Sequence, residues 1–152
     1  MKRIIYLIFI LLGVTACKEV FEAPPQALLK ATLMNSTTNK SIESIVTSRG
    51  VGLDSLFYSK TNLSEILLPL SAKDTTSFHI SFDSTIETIS LTHSTSMKYA
   101  SMESGFYNEY KLLKVDFSRN RIDSILITDS LVTKTWHENI KIYIRPLPTN
   151  GN

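Results

Sequence analysis

Three histidines, a single cysteine and a recurring Asp-Ser/Thr pair are the residues in this chain whose types could carry chemistry. His79, His93 and His137 are the only imidazoles, so they are the first candidates for a metal or a general base. A zinc site needs side chains that converge at a fixed spacing, as in H-E-x-x-H, and no such pair is present. His79 and His93 lie in strand-like stretches on opposite faces of an expected hairpin, and His137-Glu138 alone is not a motif. No metal site and no cofactor are expected. A serine nucleophile of the G-x-S-x-G type is also missing; the nearest Ser-Gly is Ser104-Gly105, without a strand–turn–helix context. The eight Glu are too scattered to offer a paired-carboxylate site. No enzyme activity is therefore expected. A periplasmic hydrolase with an unrecognised Ser/His/Asp site is the alternative that these side chains leave open.

Cys17 closes an apolar run. Lys2 and Arg3 give a cationic start, Ile4 to Leu12 carries no charge, and Gly13, Thr15 and Ala16 are small. That order is the order of a secretory signal peptide. The run is about a dozen residues, whereas a membrane-spanning helix needs roughly 20. Val14-Thr15-Ala16-Cys17 resembles the bacterial lipobox, in which cleavage falls before the cysteine and acyl chains are then attached to it. Buried acyl chains contribute about 0.8 kcal/mol per CH₂, so several of them hold where one would not. Lipidation at Cys17 and anchoring to a membrane are the expectations. With one cysteine, the exported fold must stand without an internal disulfide.

Loss of residues 1–16 removes Lys2 and Arg3 and no acid, so 16 basic and 14 acidic side chains become 14 of each. A neutral mature chain gives no electrostatic case for nucleic acid. Residues 17–25 read as a lipidated tether, with Pro24-Pro25 as a short semi-rigid spacer. Position 18 is Lys, not the Asp that favours inner-membrane retention in some bacteria; resemblance to that sorting rule implies outer-membrane delivery. A Lys followed by acids also resembles, weakly, the surface-export signals of Bacteroidota lipoproteins. Periplasmic face and cell surface both remain open.

Five of the six Asp precede Ser or Thr: Asp54-Ser55, Asp74-Thr75, Asp83-Ser84, Asp123-Ser124 and Asp129-Ser130. The pattern resembles the O-glycosylation sequon of exported Bacteroidota proteins and makes Ser55, Thr75, Ser84, Ser124 and Ser130 candidate acceptors. Turn chemistry is the competing reading, because Asp and Ser bond to nearby backbone and gather at strand ends. Among the aromatics Trp136, Tyr99, Tyr107, Tyr110 and Tyr143, the last is the best contact candidate. Tyr143 stands between Lys141 and Arg145, and aromatic and Arg side chains are enriched at binding hot spots.

The elements that must position these residues are strands. Ser and Thr together number 35, and β-branched residues are frequent. "SFHISFD" puts Phe78, Ile80 and Phe82 on one face; "NIKIYIR" does the same for Ile140, Ile142 and Ile144; "KLLKVDF" aligns Leu113, Val115 and Phe117. Further strands are expected at 28–34, 44–48, 66–70, 87–92 and 122–128, and a weaker one near 97–101. Asp83 to Ile86 reads as a turn pairing Ile80 with Ile89 and Phe78 with Leu91. A second hairpin is expected at Ser118 to Arg121, with Ile122/Leu126 and Ile125/Ile127 as competing faces.

Eight or so short strands without an amphipathic helix argue for a β-sandwich, although periodicity leaves a half-open barrel possible. The lipobox, "EILLPLSAKDTTSFHISF" (65–82), "RIDSILITDSLV" and "ENIKIYI" resemble a family of small Bacteroidota lipoproteins of unknown function with an immunoglobulin-like sandwich. The resemblance implies an all-β fold, one antiparallel immunoglobulin-like β-sandwich of about seven to nine strands, over residues 26–148, ahead of a disordered tail at 149–152. In that family a Cys-Gly often stands mid-chain; Ser104-Gly105 occupies its place here, so any role of that thiol is absent. A non-catalytic binding or accessory module for an envelope protein or glycan is the expectation, with a glycosylated structural surface protein as a further alternative.

Overall fold

A computed structural model describes residues 23–147. The expected signal peptide (1–16), Cys17, residues 18–22 of the expected tether and the expected tail at 149–152 lie outside the described residues. Ten strands follow in chain order: β1 (Leu28–Asn35), β2 (Ser44–Gly50), β3 (Leu56–Leu63), β4 (Glu65–Pro69), β5 (Thr75–Phe82), β6 (Thr85–Ser101), β7 (Gly105–Phe117), β8 (Ile122–Ile127), β9 (Leu131–Val132) and β10 (Glu138–Ile144). They form a four-stranded sheet, β4-β1-β10-β8, and a six-stranded sheet, β3-β2-β5-β6-β7-β9. Every pairing is antiparallel except β1 with β10, the first strand beside the last.

The two sheets bury alternate side chains against each other. Leu29, Ala31, Leu33, Ile66, Leu68, Ile140, Ile142 and Ile144 come from the smaller sheet. Val46, Phe78, Ile80, Phe82, Ile89, Leu91 and Leu112 come from the larger. Period-two spacing makes this possible, since residues i and i+2 share a face. Two tyrosines tie the sheets across their gap. The Tyr58 hydroxyl accepts from the Leu67 N–H (2.9 Å) and donates to the Leu67 carbonyl (3.2 Å), joining edge strand β3 to edge strand β4. The Tyr110 hydroxyl donates to the Leu70 carbonyl at 2.9 Å.

Four expectations need correction. The β5–β6 register is shifted: Phe78 meets Ile89, Ile80 meets Glu87, and Phe82 meets Thr85. A two-residue turn follows Phe82 at once because Asp83 takes a left-handed conformation (φ 55°), which Asp tolerates. The apolar faces still coincide, because the slip is by an even number.

The segment Ser118 to Arg121 does not make a hairpin. It carries the chain from β7 in one sheet to β8 in the other.

Nor does Leu113 share an inner face with Val115 and Phe117. Thr92 pairs with Lys114 but His93 with Leu112, so Leu113 is the extra residue of a β-bulge. Leu112 turns inward and Leu113 is exposed.

Finally, β3 has no counterpart in the expected strands. It is an edge strand whose sequence, LFYSKTNL, is largely exposed and shows little alternation. A second bulge resolves the ambiguity on β8: Ile127 and Ile125 oppose Ile140 and Ile142, and the extra residue Asp123 lets Ile122 join them opposite Ile144.

Candidate interaction surface

The long pair β6–β7 divides at His93. Up to that point β6 lies within the sandwich, with Ile89 and Leu91 buried. Beyond it the same two strands run on as an arm, Thr95 to Ser101 paired with Gly105 to Tyr110. The inner-face alternation also runs on. Tyr110 is the last of these side chains to be buried; past it Met97, Tyr99 and Phe106 are 69%, 58% and 60% exposed, and Met102 at the tip is 89% exposed. Tyr99 and Phe106 are cross-strand partners whose rings meet edge to face at 5.4 Å. The tip turns on Gly105 at φ 72°, and the Ser101 hydroxyl oxygen accepts from the Ser104 N–H at 3.0 Å. Ser104-Gly105 is thus a hairpin turn, not a nucleophile elbow.

The segment ahead of β1 lies beside this arm. Ala23, Pro24 and Gln26 share a groove with Phe106, Asn108 and Tyr110. Trp136, in the β9–β10 connection, donates its indole N–H to the Gln26 carbonyl at 2.7 Å and pins the chain there, two residues ahead of β1. Lys134 sits 5.9 Å over the Tyr107 ring on the arm.

At the opposite end of β6, a buried polar hub fixes the crossover. The fully buried Glu87 carboxylate accepts from the Ser118 hydroxyl and the Arg121 N–H, and from the Ile122 N–H at 2.9 Å. The buried Arg121 guanidinium pairs with Asp83 and donates to the carbonyls of Phe82 (3.0 Å) and Arg145 (3.2 Å). Burial pushes the Asp83 carboxyl up, but hydrogen bonds from Arg121 and the Ile45 N–H, with the charge of Arg121, outweigh it and hold the group below its ordinary value of 3.8. All these groups are spent on one another, which makes the hub structural. Alternation signals it: Glu87 has the same parity as Ile89 and Leu91, so a carboxylate in that slot needs donors.

The histidines do not converge. His79 is on the outer face of β5, its Nδ1 3.2 Å from the Thr88 hydroxyl. His93 is inward, 1% exposed, with Nε2 2.8 Å from the Thr76 hydroxyl and its ring edge-on to Tyr110 at 5.1 Å. Burial pushes His93 below its ordinary value of 6.5, and the charge of Asp74 opposes this only in part. His137 pairs with Asp129 at 2.9 Å in the β9–β10 region. Among the described residues no three His, Cys, Asp or Glu side chains are placed to share a metal ion.

Of the candidate acceptors, Ser55, Thr75, Ser84 and Ser124 are exposed and Ser130 is half-buried. They are dispersed: Thr75 and Ser84 flank opposite ends of β5. Three of the preceding aspartates have local work: Asp83 in the hub, Asp129 accepting from the Leu131 N–H at 2.8 Å, and Asp123 pairing with Arg145 at 3.4 Å. On the outer face of β10, Lys141 and Tyr143 are half-buried beside Leu126 and Ser124 of β8. Lys141 lies 3.7 Å from Glu138, and Arg145 is bound to Asp123, so neither cation of that trio is without an acidic neighbour. Sequence alone does not mark the arm as a surface, because β6 carries the same alternation there as in the core; only the length of the pairing distinguishes the two.

The two packed, mainly antiparallel sheets define a β-sandwich and not a closed barrel. The chain belongs to a family of unknown function, DUF6452, whose model matches residues 44–144. The match begins with β2 and ends on the last residue of β10, so it includes both the hub and the arm. No curated protein and no solved structure matches the chain.

Proposed function

We propose that this protein is a non-catalytic binding or accessory module, anchored by acyl chains on Cys17 at the outer membrane and serving a partner in the envelope. The observation that carries the contact role is the β6–β7 arm, which exposes Met97, Tyr99, Met102 and Phe106 together. Large apolar side chains grouped on a projecting element mark a contact surface, whereas single exposed ones do not. The anchoring half of the reading rests on the Val14-Thr15-Ala16-Cys17 stretch and on the Pro-containing tether behind it. Metabolic labelling with palmitate, followed by detergent partitioning, tests it. Label in the parent chain and none in Cys17→Ala is the expected result; equal behaviour of the two overturns the anchor.

A second reading, a glycosylated surface protein, is favoured by the exposure of Ser55, Thr75, Ser84 and Ser124. Glycans at these sites would be bulky and solubilising. An intact mass equal to peptide plus lipid removes it.

A further inference from the structure

We propose that the β6–β7 arm is a bilayer-contacting element: its tip and inner face rest in the headgroup region of the same membrane that holds Cys17. The inference deepens the anchored reading above and depends on it.

The geometry is set by two lengths. From Ala23 back to Cys17 is six residue steps. At roughly 3.3–3.6 Å per residue, such a segment reaches at most about 20 Å. The arm projects from the same end of the sandwich, and Ala23 already lies in a groove with Phe106 near its tip. Eight strand residues, Ser94–Ser101, extend roughly 25 Å at about 3.3 Å each. A tether that short, pinned beside an arm that long, keeps the arm tip at the membrane surface. The Trp136 bond to Gln26 prevents the tether from starting elsewhere.

The chemistry fits that depth. Met97, Tyr99, Met102 and Phe106 supply apolar surface that no second sheet covers among the described residues. Tyrosine and tryptophan suit the boundary between headgroups and acyl chains, and Tyr99 and Trp136 are both exposed at this end. Lys98 on the opposite face of the arm can keep its ammonium in water while its stem lies along the surface. Glu103 at the tip limits the depth, since a carboxylate in hydrocarbon is costly, and places the contact at the interface.

The test uses the full-length lipoprotein purified from membranes and reconstituted in phosphatidylethanolamine–phosphatidylglycerol vesicles. M102C carries a fluorophore at the tip, and S84C carries it in the β5–β6 turn at the far end of β6. Because Cys17 is the only native thiol, the mass of each labelled protein reports the anchor separately: one label plus lipid leaves the anchored reading standing, and two labels overturn it. Brominated acyl chains are expected to reduce emission at position 102 about twofold or more, and not at position 84, because an interfacial group lies roughly 5–10 Å into the headgroup and acyl boundary. Iodide in the water is expected to quench position 84 and spare position 102. If iodide quenches 102 as well as 84, the arm is in solvent and the proposal fails while the anchor survives. If neither quencher reaches 102, a protein surface or a second copy covers the arm, and the bilayer contact is equally overturned.

Discussion

The two halves of β6–β7 keep one inner face across the bulge at Leu113, yet they meet opposite fates. In the inner half Ile89, Leu91 and Leu112 face the four-stranded sheet and are buried. In the outer half Met97, Tyr99 and Phe106 occupy the same face and meet no sheet. The strands stay paired through both; what changes is whether a partner layer is present. An apolar stripe records a need for burial, and the sandwich satisfies that need only as far as Tyr110. The remainder stays exposed.

The largest contrast is therefore one of stability. Phe78→Ala, in the core opposite Ile89, is expected to cost about 3–5 kcal/mol, the usual loss for deleting a buried ring. Chemical denaturation measures it. A loss under about 1 kcal/mol at Phe78 would mean that the sheets are not packed face to face as described. Next comes the hub that closes the inner half. Glu87→Ala leaves the Ser118 hydroxyl and the N–H groups of Arg121 and Ile122 without their acceptor, at about 1–3 kcal/mol for each buried donor that water does not reach. A Glu87→Ala protein as stable as the parent would show that the crossover is held by apolar contacts alone.

Much of this was legible in the sequence. The alternations at 78–82 and 140–144 gave the correct inward residues, and the sandwich followed from the number and spacing of strands. Other features were hidden for physical reasons. The bulge at Leu113 inserts one residue into a regular pattern, and nothing local distinguishes "KLLKVDF" with a bulge from the same stretch without one. The chain from 118 to 121 reads as a turn in either case, because a hairpin and a crossover between sheets use the same polar residues. Edge strand β3 buries so little that no period marks it. For the surface, an aromatic between two cations makes Lys141–Tyr143–Arg145 the best contact candidate, but its charges have partners within the sheet, and the arm carries only the pattern of an ordinary strand.

Smaller effects come from acid, and they sharpen the border between the two halves. His93 marks that border. Its folded value lies below 6.5, so the unfolded chain takes up the proton first as pH falls. Stability from the neutral ring is complete above 6.5 and is lost between that value and the folded one. Urea midpoints should fall over this window in the parent and fall less in His93→Phe; identical slopes would remove His93 from the account. Asp83, at the far end, responds lower. Its folded value lies under 3.8, so its contribution is present above 3.8 and is lost as pH falls through the folded value. Asp83→Asn should flatten the curve only in that lower window.

The smallest expected effect carries the most information about the outer half. Phe106→Ser and Tyr99→Ser remove apolar area that is already in contact with water, so each should change stability by no more than about 1.5 kcal/mol, the upper end for losing one ring–ring contact. That contact is the edge-to-face meeting of the two rings, and such pairs contribute about 0.5–1.5 kcal/mol beyond their burial. The double variant measured against both single ones isolates that contribution. A loss of several kcal/mol in either single variant would mean that the domain itself buries the arm, and the difference between the halves would vanish. A near-neutral result, set beside the cost at Phe78, would establish that one face of one ladder serves folding up to Tyr110 and is free for contact beyond it.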